Sequence, residues 1–162
     1  DVMIHNTKFY SNQANRDYVD PVDKNLNGGS ALFLSARSCD IRGCIFENNK
    51  GGRGALRIYE KFYENNEDSA RLIKENEEHK GISISNCKVR INPREEHGIF
   101  VDGSDPTLIN INECEFKGKL HNGAKYISGK LNYHNSRNIL VKNCDFEYDE
   151  KASVKIELLK DE

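Results

Sequence analysis

A repeat of alternating apolar residues constrains the fold of this chain more than any other feature. Each copy contains two pairs of the form apolar–any–apolar, and one bend residue separates the pairs. Alternation with a period of two is the pattern of a β-strand that buries one face. The five copies are VMIHNTKFY from Val2, CDIRGCIFE from Cys39, ISISNCKVR from Ile82, ININECEFK from Ile109 and ILVKNCDFE from Ile139.

The bend residue is Asn or Gly in four of the five copies, and these residues enter the left-handed backbone region at low cost. We therefore predict that each copy forms two short strands that meet at a sharp corner. The five bend residues are Asn6, Gly43, Asn86, Glu113 and Asn143.

A third apolar segment follows the pair of strands in every copy, and four of the five segments carry Gly at their first or second position. Three strands per copy, stacked at about 4.8 Å, predict an all-β fold, a parallel β-helix of about five rungs. We expect residues 1–162 to form a single β-helix domain that is a segment of a longer solenoid. The third segments are GGSALFL from Gly28, GGRGALRI from Gly51, HGIFV from His97, NGAKYI from Asn122 and KASVKI from Lys151.

The rungs differ in length, and the excess residues fall at two corners, 12–27 and 60–80. Solenoids carry insertions as surface loops, and such loops often bind ligands. We therefore expect a protein or glycan ligand at the corner loops. Aromatic side chains at or near the corners could stack on a sugar ring or a protein partner, and simple shielding of loop backbone is the alternative. The candidates are Tyr10, Tyr59, Phe62 and Tyr63.

The five cysteines fit the repeat as small apolar core residues. Four follow the bend, in one inward column, and Cys39 takes a position that Val or Ile fills in the other copies. No C-x-x-C or paired C-x-x-H spacing is present, so we expect no metal site and no cofactor. Asn12, Asn49 and Asn92 are expected to stack as a ladder of amides at another corner.

Candidate catalytic residues are few. Asp102 and Asp105 in VDGSDP, with His97 before the same strand, could act as acid and base or bind Ca²⁺. A tight turn closed by Gly103 and Pro106 explains the segment more simply. The sequence therefore favours a protein that is not an enzyme.

Charge and hydropathy exclude two classes of partner. The net charge is −2 and the isoelectric point is about 6.3, so nothing draws the chain to nucleic acid. No apolar run approaches the roughly 20 residues of a membrane span, and we expect no membrane insertion.

The motif F-x-x-N occurs as FYSN from Phe9 and FENN from Phe46, and G-G-A-[ILV] is approximated by GGSALF and GGRGAL. This combination resembles the repeats of chlamydial polymorphic membrane proteins and other autotransporter-type adhesins. The resemblance implies a right-handed β-helix of a cell-surface or extracellular adhesion module. Separately, we expect end-to-end contact with further rungs of a longer solenoid. Two alternatives stay open: a carbohydrate-active enzyme of the same fold, of the lyase or hydrolase type, and a cytoplasmic structural scaffold.

Overall fold

The computed structural model of the protein describes residues 2–14, 31–34, 38–60, 81–92, 97–103, 109–121, 123–132 and 139–159. Within these ranges the chain forms fifteen short β-strands and one short helix. The strands assemble into three parallel sheets of five strands each. The predicted all-β fold, a parallel β-helix of about five rungs, is confirmed.

Each rung contributes one strand to each sheet. The first sheet contains β1 Val2–His5, β4 Ser38–Arg42, β7 Gly81–Ser85, β10 Ile109–Asn112 and β13 Ile139–Lys142. The second sheet contains β2 Lys8–Tyr10, β5 Ile45–Glu47, β8 Lys88–Arg90, β11 Glu115–Lys117 and β14 Asp145–Phe146. The third sheet contains β3 Leu32–Leu34, β6 Leu56–Glu60, β9 His97–Gly103, β12 Lys125–Asn132 and β15 Val154–Leu159.

The pairing register of the strands follows the alignment of the repeats. In the first sheet the repeat starts are Cα partners from rung to rung, in the order Val2, Cys39, Ile82, Ile109 and Ile139. A slip of one residue would turn every apolar side chain to the opposite face of its strand. The alternation of the sequence therefore fixes the register.

The corner between the first and second sheets is a single residue with positive φ in every rung. The values are 50° for Asn6, 63° for Gly43, 51° for Asn86, 54° for Glu113 and 52° for Asn143. Asn and Gly accept this conformation readily, whereas other residues pay about 1–2 kcal/mol for it. The predicted bend is confirmed, and Glu113 adopts it as well.

The core is a set of apolar columns that run along the helix axis. In the second sheet Phe9, Phe46, Val89, Phe116 and Phe146 are aligned by the strand register. The rings of Phe9 and Phe46 stack with centroids 4.8 Å apart. Phe46 and Phe116 are completely buried, whereas Phe9 and Phe146, in the two end rungs, are only partly buried. Burial along each column therefore falls off at the ends of the stack.

The last predicted strand begins later than its sequence suggested. Residues Glu150–Ser153 form a short helix, α1, and β15 begins only at Val154. The Asp149 side chain accepts a hydrogen bond from the Ala152 N–H at 2.8 Å, which is N-terminal capping of this turn. The prediction of a strand from Lys151 was wrong for its first three residues because this cap favours a helical turn.

Candidate functional site

The cysteine column lines the inside of the bend corner. Each thiol in the column donates to the carbonyl oxygen two residues earlier, and Thr7 Oγ1 does the same to His5 at 3.0 Å in the first rung. All five cysteines are free thiols, as expected for packing residues. Burial raises the pKa of the Cys44 thiol, which keeps it neutral. The column distances from Sγ to oxygen are 3.5 Å for Cys44, 3.3 Å for Cys87, 3.4 Å for Cys114 and 3.3 Å for Cys144.

The described part of the chain contains no group of three or more His, Cys, Asp or Glu side chains that could hold a metal ion. The sulfurs of the cysteine column fill a narrow space and bond to corner carbonyls, which is a packing contact.

The residues considered for catalysis lie at opposite ends of one strand. His97 begins β9 and Asp102 is the sixth of its seven residues, so an extended chain separates their Cα atoms by about 16 Å. The Lys125 N–H donates to His97 Nδ1 at 3.1 Å, and the imidazole stacks on Phe100 with centroids 5.3 Å apart. The main chain therefore occupies one nitrogen of His97. Asp105 lies outside the described residues.

The predicted binding aromatics are only partly described. Tyr10 ends β2 with 55% of its surface exposed. Tyr59 lies in β6, where its Cα pairs with that of Asp102 on the neighbouring rung. Phe62 and Tyr63 lie outside the described residues. Tyr10 is thus the one candidate of this group whose side-chain surroundings are described.

A polar cleft lies at the corner that follows the second sheet. Ser11, Asn48, Lys50 and Asn92 line it, and its volume is about 280 Å³. Asn48 Nδ2 donates to Ser11 Oγ at 2.8 Å, and Asn92 Nδ2 donates to Asn48 Oδ1 at 3.0 Å. Three successive rungs thus contribute one side chain each to a single hydrogen-bonded column. We call this surface the corner cleft.

A second polar column supports the corner cleft from behind. Asn49 is completely buried, and its Oδ1 accepts from the Asn12 N–H at 3.0 Å and from Asn12 Nδ2 at 2.9 Å. Asn49 Nδ2 donates to the Phe9 carbonyl at 3.0 Å. The predicted stacking of Asn12 on Asn49 is confirmed, but Asn92 reaches Asn48 instead. Asn48 adopts positive φ (56°), which presents its amide at the corner cleft.

Tyr10 immediately precedes the first residue of the corner cleft. Lys8 Nζ lies 4.7 Å from the centre of the Tyr10 ring and 3.3 Å from Glu47 Oε2. The Lys8 ammonium group therefore packs against one face of the Tyr10 ring, and Tyr10 remains mostly exposed. Amides, a hydroxyl, a lysine and an exposed tyrosine together supply polar and stacking contacts for a polar ligand.

A charged cluster on the first sheet was not predicted from the sequence. His5 Nε2 lies 2.8 Å from Asp40 Oδ2, and Arg42 donates to the same oxygen at 3.0 Å. These residues come from two adjacent rungs, and only the strand register brings His5 to Asp40. Arg42 already binds the Asp40 carboxylate oxygen that faces His5. Asp40 is therefore held in a network of polar contacts and does not stand as a free base next to His5.

Comparison of the chain with protein-family models, with curated proteins and with solved structures finds no match. The helix α1 has four residues, and no helix in the described ranges is long and apolar enough to cross a membrane.

Proposed function

We propose that this β-helix is a non-enzymatic binding module of the adhesion type, and that its corner cleft binds a glycan. The observation that supports the proposal is the column of Ser11, Asn48 and Asn92, which lines an open cleft on three successive rungs. The exposed Tyr10 lies at the same corner.

The chemistry of the corner cleft suits a sugar chain. Amide groups offer both donors and acceptors, which match hydroxyl groups that also donate and accept. The Tyr10 ring offers an apolar face for the C–H side of a sugar ring. Lys50 adds a positive charge, which favours a glycan that carries carboxylate groups.

The shape of the site favours a ligand that lies along the helix axis. Neighbouring rungs repeat at about 4.8 Å, so an extended chain meets an equivalent side chain at each step. The alternative role as a glycan-cleaving enzyme is less well supported. Of its candidate residues, His97 and Asp102 lie about 16 Å apart along one extended strand, and Asp105 lies outside the described residues.

Binding to a panel of neutral and carboxylate-bearing oligosaccharides tests the proposal. Tyr10→Ala removes the stacking surface, and Asn48→Gly removes the amide while it retains a residue that tolerates φ of 56°. We expect each substitution to weaken binding by about tenfold, which corresponds to about 1.4 kcal/mol. Tyr148→Ala is the matched control, since Tyr148 is also exposed but belongs to the last rung. Binding that neither cleft variant weakens would contradict the proposal.

The adhesion role also assigns the protein to the cell surface or the extracellular space, in line with the FYSN and FENN resemblance. A membrane-impermeant reagent applied to intact producing cells tests this assignment. Labelled protein would support the surface role. Protein that is labelled only after lysis would favour the intracellular scaffold instead.

A further inference from the structure

Building on the glycan-binding function above, we propose that the ligand of the corner cleft is an acidic glycan whose carboxylate or sulfate groups bind four cations around the cleft. This ligand class extends the site beyond the cleft, onto the outer face of the second sheet. We call the four cations the basic patch; they are Lys50, Lys88, Arg90 and Lys119.

The basic patch surrounds the amide column of the corner cleft. Lys88 and Arg90 are the two exposed residues of β8. Arg90 precedes Asn92 by two residues, on the side of the second sheet. Lys50 follows Asn48 by two residues, on the opposite side of the column. A ligand that lies along the amide column therefore has a cation on each side.

The register of the second sheet places Lys119 beside Asn92. Arg90 and Lys117 are Cα partners on neighbouring rungs, and the Ile91 N–H donates to the Lys117 carbonyl at 2.8 Å. Asn92 and Lys119 each follow one of these partners by two residues, so they occupy equivalent positions on the third and fourth rungs. Lys119 is exposed. The basic patch therefore continues along the helix axis at the rung spacing of about 4.8 Å.

Within the described ranges the cations of the basic patch make no ion pair, whereas the acidic side chains beside them are already bound. Glu47 Oε2 lies 3.3 Å from Lys8 Nζ. Glu115 Oε2 lies 3.4 Å from Lys117 Nζ. Glu47 and Glu115 belong to the rungs on either side of β8, and both are occupied by other lysines. The positive charge of the basic patch is therefore available to a ligand.

The side chains of this surface call for two kinds of ligand group. The Arg90 guanidinium presents N–H donors in a planar fork that fits the paired oxygens of a carboxylate or a similar oxyanion, and a lysine binds such a group as a point charge. The amides of Asn48 and Asn92 both donate and accept, as sugar hydroxyl groups do. A chain that carries hydroxyl and anionic groups at short intervals satisfies both, and an acidic polysaccharide has this chemistry.

A polymer of denser charge fits the surface less well. Nucleic acid or polyphosphate would engage the cations but would leave the amide column without hydroxyl partners. The molecule as a whole carries a net charge of −2, so the rest of its surface repels a highly charged polyanion. A glycan with one anionic group per sugar unit matches a patch of four cations.

The test compares three oligosaccharides that share one backbone: a uronic acid oligomer, its neutral methyl ester, and a sulfated derivative of that ester. Isothermal titration calorimetry measures each affinity at low and at physiological salt. We expect at least one of the two acidic ligands to bind about tenfold or more tightly than the methyl ester, because at least two exposed ion pairs form. The difference should shrink as salt screens these charges.

Arg90→Gln removes one charge of the basic patch at an exposed strand position. It should weaken binding of the preferred acidic ligand by about fivefold, the upper value for an exposed ion pair, and leave the methyl ester unaffected. Arg90→Lys should restore most of the affinity. Lys142→Gln is the matched control, since it changes the net charge equally but lies at an exposed position of the first sheet. It should change neither affinity.

The outcomes separate the acidic ligand from the glycan site itself. A preference for the uronate identifies carboxylate as the recognised group and a preference for the sulfated chain identifies sulfate; both support the proposal. Equal affinities for all three ligands, each weakened by Tyr10→Ala or Asn48→Gly, would overturn the acidic ligand while the glycan site stands. Acidic binding that Arg90→Gln weakens but neither cleft variant affects would place the anion outside the corner cleft and overturn both.

Short polyphosphate and a single-stranded oligonucleotide complete the comparison. If either binds as tightly as the acidic oligosaccharide and independently of Tyr10, the surface recognises charge alone, and the glycan is the wrong partner. Absence of binding by any oligosaccharide would also refute the proposal, together with the function on which it is built. Circular dichroism during thermal unfolding verifies that each variant retains the fold.

Discussion

Phe46→Ala should destabilise the protein by about 4 kcal/mol, and the same change at Phe9 should cost about half as much. The two residues occupy the same column and their rings stack on each other. They differ in position, because Phe46 lies inside the stack and Phe9 belongs to the first rung. The pair therefore tests whether position along the axis controls burial.

The magnitudes follow from the surroundings of each ring. Phe46 is completely buried, and removal of a buried Phe side chain costs about 3–5 kcal/mol, including the cavity that remains. Phe9 is partly exposed, so roughly half of its transfer free energy is at stake, about 2 kcal/mol. Tyr10→Ala removes an outward side chain and should change stability by about 0.5 kcal/mol or less.

Equilibrium unfolding in urea, followed by circular dichroism at a concentration at which the chain is monomeric, gives these differences. The midpoint should shift while the slope stays constant, since the surface exposed on unfolding changes little. Equal losses of stability for Phe46→Ala and Phe9→Ala would refute the idea that burial falls off in the end rungs. A loss for Tyr10→Ala as large as that for Phe46→Ala would refute the inward and outward assignment of the whole second sheet.

Three other predictions concern the thiols, the bend and a buried phenol. In the native protein a thiol reagent should label Cys144 well before Cys87, because Cys144 is only partly buried whereas Cys87 is almost completely buried; equal rates would contradict this. The hydrogen bonds with Cys114 lower the pKa of both thiols, so the difference in burial decides the order. Asn86→Val should destabilise the protein by more than about 1 kcal/mol because a β-branched residue resists a φ of 51°. Asn86→Gly should be nearly neutral, and the midpoints of urea unfolding measure both changes. Burial raises the pKa of Tyr126, whose hydroxyl donates to the Gly118 carbonyl at 2.6 Å. The contribution of Tyr126 to the free energy of unfolding is therefore complete below about pH 10, and it declines above that pH because the phenol ionises in the unfolded chain. In urea unfolding measured at a series of alkaline pH values, Tyr126→Phe should make the loss of stability with pH less steep.

The architecture could be predicted from the sequence because its determinants are local and are repeated. Alternation in Ile82–Ile84 and a bend at Asn86 each specify a strand or a corner within a few residues, and five copies report the same arrangement. Glu113 lacks the backbone preference of Asn, yet the rungs on both sides impose the same corner on it. Agreement among copies therefore outweighs a single unfavourable residue.

The corner cleft could not be predicted because it depends on contacts between distant residues. Asn92 lies 44 positions from Asn48, and their contact requires the rung register together with the positive φ of Asn48. The FENN motif places the adjacent amides of Asn48 and Asn49 at a corner, but the motif does not indicate which of the two side chains faces inward. The structure resolves this, since Asn49 is buried and Asn48 is exposed.

The one-residue bend between the first and second sheets has a consequence for how the molecule can change in length. The residue after each bend is Thr7, Cys44, Cys87, Cys114 or Cys144, so successive rungs take 37, 43, 27 and 30 residues, yet φ at the bend stays between 50° and 63°. All variation in length therefore falls outside this corner. Excision or duplication of a segment that starts and stops at equivalent bends would leave every remaining strand in register. The molecule can thus be shortened or lengthened by whole rungs, because every rung passes through this corner with the same backbone conformation.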